Sequence, residues 1–152
     1  MKFKYALIIS VLLWATSCSD TKQKTLPSFA ILQETLKLKP EEKTAYFDKL
    51  GYGFRTGDTI SLTYKHIGQN DTSSYRIVEL PTSKACLYTT SNRNEFKAII
   101  DEAKLKGFVQ EVKEKGITGY RNNNQLLFVT DTIKQGKKMF NLNLMQLGIK
   151  KP

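Results

Sequence analysis

The sequence predicts an α+β fold, an antiparallel sheet covered on one face by two to three helices, and three observations lead to it. Apolar residues recur at helical spacing after Ser28 and again after Asn94, whereas the runs between and beyond them alternate apolar with polar residues, as half-buried strands do. The links between those runs are short and rich in Gly, Asn and Asp. Such links suit hairpins and leave no room for parallel crossovers.

Taken in order, the chain opens with Lys2 and Lys4, then an uncharged apolar run from Tyr5 to Ala15, then the small residues Thr16 and Ser17 before Cys18. This is the grammar of an export signal. As a helix at about 1.5 Å per residue the run spans roughly 16 Å, short of the ~30 Å hydrocarbon core, so removal is expected rather than lasting insertion. Ala15-Thr16-Ser17-Cys18 resembles the lipobox of bacterial lipoproteins, in which the cysteine receives diacylglycerol before the signal is cut. The resemblance implies a small bacterial lipoprotein lipidated at Cys18, with residues 1–17 as signal peptide. Ser19, where retained lipoproteins carry aspartate, points by the same resemblance to the outer membrane. Acyl chains at about 0.8 kcal/mol per buried methylene make such an anchor effectively permanent.

Residues 18–27 are then a polar, lipidated tether, and residues 28–152 a single α+β domain. Ser28 caps a helix that carries Phe29, Leu32 and Leu36. Pro40, with Glu41 and Glu42 in the first turn, starts a second helix that presents Tyr46, Phe47 and Leu50 and stops at Gly51. Strands are expected over 59–65, 74–80 and 85–90. A helix over 95–106 follows, with Phe96, Ile99, Ile100 and Ala103 on one stripe and Gly107 as its stop. Strands over 108–113, 119–121, 125–130 and 139–147 complete the chain. Ala45-Tyr46 and Asp48, followed by Gly53-Phe54, recur as Ile99-Ile100 and Glu102, followed by Gly107-Phe108. This repeat suggests two tandem α-β-β-β halves. The element order resembles the β-lactamase-inhibitor-protein-like tandem modules, which implies helices over one face of a joined antiparallel sheet.

The formal charge is +10, two units of it in the signal, and the basic residues are mostly lysines interleaved with acids. That describes a solvated lysine-rich surface or one that meets anionic partners such as lipid head groups and envelope phosphates. Nucleic acid is not an expected partner, because export removes the chain from it and no recognition helix or aromatic platform motif occurs. With one of the two cysteines acylated, Cys86 has no partner and belongs to an apolar strand as a small packing residue.

Chemistry is sparse. The sole histidine, His66, stands at a strand end, and no Gly-x-Ser-x-Gly elbow, His-Glu-x-x-His pair or cysteine cluster accompanies it. No catalytic, metal or cofactor residues are therefore assigned. Gly51-Tyr52-Gly53-Phe54 lacks the third glycine and preceding strand of a phosphate loop. Asp101 with Glu102, or Asp58 with Asp131, supply the carboxylates a glycosidase would need. Asp58-Thr59-Ile60 and Asp131-Thr132-Ile133 resemble O-glycosylation sites of exported proteins in some diderm bacteria, which would modify Thr59 and Thr132. Tyr52, Tyr64, Tyr75, Tyr88 and Tyr120 either pack the sheet or share an exposed face as a docking platform. Together these point to a non-catalytic, lipid-anchored envelope module that binds a protein, in the manner of an inhibitor or immunity protein, or an anionic envelope polymer. The alternative is an envelope hydrolase acting on cell-wall glycan.

Overall fold

The computed structural model describes residues 26–68, 72–114 and 116–148. The predicted export signal, Cys18 and most of the tether lie outside them. The elements are α1 (Phe29–Lys37), α2 (Pro40–Lys49), β1 (Tyr52–Gly57), β2 (Ser61–His66), β3 (Ser74–Leu80), β4 (Ser83–Thr90), α3 (Arg93–Leu105), β5 (Val109–Glu114), β6 (Ile117–Asn122), β7 (Gln125–Lys134) and β8 (Lys137–Leu147). The strands form one antiparallel sheet of eight, in the order β1-β2-β3-β4-β8-β7-β6-β5. Two meanders of four strands are thus joined where β4 pairs with β8, from Ser83 opposite Leu147 to Thr90 opposite Phe140.

This corrects the balanced α+β expectation. Strand takes 50% of the described residues and helix only 27%, so the molecule is a sheet carrying three short helices. Those helices do not cover the sheet. α1 and α3 pack on β4 and β8 and α2 packs on β1, while β5 is exposed along its whole length. The α-β-β-β halves fail as well, because four strands follow each helical stretch. The difference has two sources. β1 hides behind Gly51, Gly53 and Gly57, which read as loop, and β7 and β8 run on through the polar stretch 131–138 to the tip of their hairpin.

What fastens the helices to the sheet is aromatic. Phe47, on the buried side of α2, stacks on Tyr64 at 4.4 Å and meets Tyr75 at 5.0 Å and Tyr52 at 6.4 Å. Tyr64, Tyr75 and Tyr88 face one another across β2, β3 and β4, and all three are buried. Their hydroxyls are placed at the rim of this row: Tyr64 reaches Thr44 at 3.3 Å and Tyr88 donates to Glu95 at 3.0 Å. A buried phenol needs such a partner.

The helix ends are determined by sequence. Asn92 caps α3 by accepting from the amides of Asn94 and Glu95. At its other end Gly107 adopts φ +84°; its amide bonds to Lys104 and that of Phe108 to Ala103, the paired bonds of a Schellman stop. Phe108 is thereby turned under α1, edge-on to Phe29 at 5.0 Å. Ser28 caps α1 as expected, but Glu102 of α3 adds to it, accepting from the amides of Phe29 at 2.7 Å and Ala30 at 3.2 Å. A carboxylate at a helix N-terminus satisfies orphan amides and opposes the helix dipole.

One charge is buried outright. Lys43 lies one turn before Phe47, so its stem follows the core while its ammonium bonds Glu79 at the end of β3; Lys43 is 1% exposed. Lys84 approaches the same carboxylate oxygen at 3.5 Å. Partial burial raises the Glu79 carboxyl, but the hydrogen bond and charge of Lys43, with Lys84 behind, outweigh it and hold the group below its ordinary value of 4.5.

Removing one partner of such a pair strands the other. Glu79→Ala leaves the buried ammonium unpaired and should cost about 3 kcal/mol of unfolding free energy, whereas Lys43→Met leaves a carboxylate that is partly exposed and still faces Lys84, and should cost less than about 1 kcal/mol. Urea denaturation monitored by tyrosine fluorescence measures both. Because the folded carboxyl titrates below the unfolded one, its contribution is complete above about pH 4.5 and fades as pH falls through the lower folded value. Glu79→Gln should accordingly flatten the loss of stability between about pH 5 and 3.

Candidate functional site

The sheet has two faces of different character. The helix-bearing face holds the tyrosine row together with Cys86, Leu127, Leu142 and Leu144, all buried. Strand register places every second residue on the other face, over which the described chain lays no helix. Three cross-strand rows organise that face. Val78, Ala85, Met145 and Leu126 form the first. The second runs from Arg76 through Leu87, Asn143 and Phe128 to Gly119. The third is polar: Lys65, Ser74, Thr89, Asn141 and Thr130.

The middle of this face is therefore an apolar band made of Val78, Leu87, Leu126, Phe128 and Met145, each half-buried. The Phe128 ring lies against Gly119, where an added Cβ would stand 3.5 Å from it. Asn143 sits inside the band, with Leu87 and Phe128 directly opposite on its two flanking strands. Its Oδ1 is buried and accepts no hydrogen bond among the described residues. A buried acceptor without a donor costs about 1–3 kcal/mol, so this amide is out of keeping with its apolar surroundings.

Beyond the polar row the face ends in a cleft of about 610 Å³, lined by Arg55 of β1, Lys65 of β2, Ser74 of β3, Thr89 of β4 and Met139 and Lys137 of β8, with Lys134 at the end of β7. Arg55 and Lys134 are five strand spacings apart, about 24 Å on a flat sheet. Both nevertheless line this one cleft. No carboxylate is found among the described lining residues.

The residues singled out by sequence are scattered. Asp101 is exposed and 3.8 Å from Lys104, and Glu102 caps α1. Asp58 turns back on the amides of Ile60 at 2.9 Å and Ser61 at 2.8 Å, an Asx turn between β1 and β2, while Asp131 pairs with Lys138 at 2.7 Å. Neither pair frames a cleft for glycoside cleavage. Among the described residues no group of three His, Cys, Asp or Glu side chains could hold a metal, and no helix is long and apolar enough to cross a membrane. His66 accepts from the Gly68 amide at 3.0 Å and stands edge-on to Tyr52 at the cleft margin. Thr59 is exposed in the β1–β2 turn. Thr132, exposed on β7, accepts from Asn141 at 3.4 Å.

The tyrosines lie in the core, so they build no docking platform; the helix-free face is aliphatic instead. Sequence reasoning passed over Asn143, Phe128 and the cleft cations. Asn141 and Asn143 alternating with Leu142 and Leu144 mark a strand with one polar side, but only the pairing of β4 with β8 shows that Asn143 falls among apolar neighbours. Comparison with protein-family models, with curated proteins and with solved structures finds no significant match to this chain.

Cys86 is fully buried, and burial pushes its thiol up to about 12 despite the Thr35 hydrogen bond and the nearby Lys43 charge. The thiolate is the reactive form. In a Cys18→Ser protein, where Cys86 is the remaining cysteine, a disulfide reagent should label essentially nothing at pH 8 until denaturant is added, as followed by absorbance of the released thiol.

Proposed function

We propose that this protein is a non-catalytic, lipid-anchored module of the cell envelope that binds another envelope component on the helix-free face of its sheet. The observation that carries the reading is the apolar band of Val78, Leu87, Leu126, Phe128 and Met145 on a sheet face over which the described chain lays no helix. Half-buried apolar side chains of this kind are what a partner needs to bury its own apolar groups. The described carboxylates support the same reading, since those considered for hydrolysis are spent on helix capping, a turn and ion pairs. Export, acylation of Cys18 and outer-membrane placement complete the proposal and rest on the residues around the cysteine.

The binding face is tested by photocrosslinking in cells. A photoreactive residue at position 87 or 128 should capture one and the same envelope component, and one at the exposed Ala98 of α3 should not. Equal capture from all three positions, or none from 87 and 128, would sink the assignment. Asn143→Leu should raise unfolding free energy by about 1 kcal/mol, by removing the unpaired acceptor. Anchoring is tested separately. Cys18→Ser should move the protein from the membrane fraction to the soluble periplasmic fraction, and retention in the membrane fraction would exclude lipidation as the anchor.

A further inference from the structure

We propose that the basic cleft at the end of the helix-free face holds a phosphate-bearing polymer, gripped between the β1–β2 strands and the tip of the β7–β8 hairpin. The inference rests on that face being the binding side and names the chemistry of what lies there. Arg55, Lys65, Lys134 and Lys137 all line the cleft, and none of them is ion-paired with a described carboxylate. Between them Ser74 adds a hydroxyl-bearing residue, while the hydroxyls of Thr72, Ser73 and Thr89 are bonded to Ser91, Tyr52 and Asn141. Cations with no carboxylate among the described lining residues suit a ligand that offers acceptor oxygens and negative charge.

The hairpin supplies a second, independent observation. Lys134 and Lys137 are directly opposite each other across the two-residue turn Gln135-Gly136. Both turn residues have positive φ, +50° and +73°, the geometry of a tight hairpin whose flanking side chains are fixed in register. Like charges directly opposite destabilise a strand pair. On the other face of the same hairpin Lys138, which stands opposite Ile133, is neutralised by Asp131 on the diagonal at 2.7 Å. Lys134 and Lys137 have no such carboxylate among the described residues, and an anion lying between them would supply the missing charge.

Size decides between a single anion and a chain. At about 30 Å³ per water, 610 Å³ is equivalent to about 20 waters, far more than one phosphate displaces. The cations also come from strands on both sides of the β4–β8 seam, so one compact ion cannot reach all four. A run of phosphoryl groups can. An acidic polypeptide would carry the same sign of charge but spread over planar carboxylates, and it is the competing outcome of the test.

The full-length lipidated protein in a neutral detergent is titrated calorimetrically with orthophosphate, with linear polyphosphate and with poly-L-glutamate of matched charge. Polyphosphate should bind with affinity that falls steeply as salt rises, and orthophosphate should bind at least about a hundredfold more weakly. Lys134→Ala/Lys137→Ala should lower polyphosphate affinity about tenfold, while Lys97→Ala/Lys104→Ala on α3 should change it less than about twofold. Both double substitutions are of exposed residues, and an unchanged thermal midpoint confirms that each variant is folded. Poly-L-glutamate binding as tightly as polyphosphate, equal losses in the two variants, or no polyphosphate binding at all would each overturn the proposal. If capture at positions 87 and 128 persisted in any of those cases, the binding face would stand and only its phosphate chemistry would fall.

Discussion

The insertion of Phe47 among the tyrosines of β1, β2 and β3 is the contact on which the remaining architecture depends. A helix as short as α2 is marginal by itself, and its moderate apolar content is concentrated where Phe47 meets three rings within 6.4 Å. Those rings belong to three successive strands, and with Tyr88 they extend to β4, which is the strand that joins the two meanders through β8. Fixing α2 therefore fixes the register of the first meander. Because a slip of one residue would turn every tyrosine to the opposite face, that register is strongly specified.

Committing the tyrosines to the helix side leaves the other face to whatever lies between them in sequence. The alternate positions of β3 and β4 are Ser74, Arg76, Val78 and Ala85, Leu87, Thr89, and those of β7 and β8 are Leu126, Phe128, Thr130 and Asn141, Asn143, Met145. Across the sheet two adjacent rows hold the apolar residues, with Asn143 and, toward one edge, Arg76 among them, and the third row is hydroxyl and amide ending in Lys65. A sheet needing only solubility would place polar residues throughout. Here instead an apolar band persists beside a cleft of like charges, and like charges lower stability unless a partner compensates them. That coincidence on one face is the reason to place function there.

Much of the local structure was legible in the sequence. The stripe Phe96, Ile99, Ile100, Ala103 with its Gly107 stop produced α3, and Pro40 produced the start of α2, because both signals act within a few residues. β1 was not legible, since Gly51, Gly53 and Gly57 are turn residues by any local rule, and only pairing with β2 makes the segment a strand. The strand-rich balance of the fold escaped for the same reason: 131–138 is hydrophilic but is drawn into ladder pairing by its neighbours. Cys86 and the tyrosines were identifiable as core material. The cleft was not. Arg55, Lys65, Lys134 and Lys137 stand apart along the chain, and nothing short of the sheet order with its β4–β8 seam brings them to one cleft.

The proposed anchor bears on how the binding face would be presented. The tether from Cys18 to Pro27 reaches at most about 30 Å when fully extended, comparable with the diameter of a domain of this size, whose radius of gyration is about 14 Å. It enters the fold at Phe29, the first residue of α1, whose amide is held by Glu102 on the helix side of the sheet. A lipidated Cys18 would thus hold the domain within about one diameter of the bilayer, close enough to meet envelope components next to that membrane and too loosely tied to fix which face of the sheet meets them.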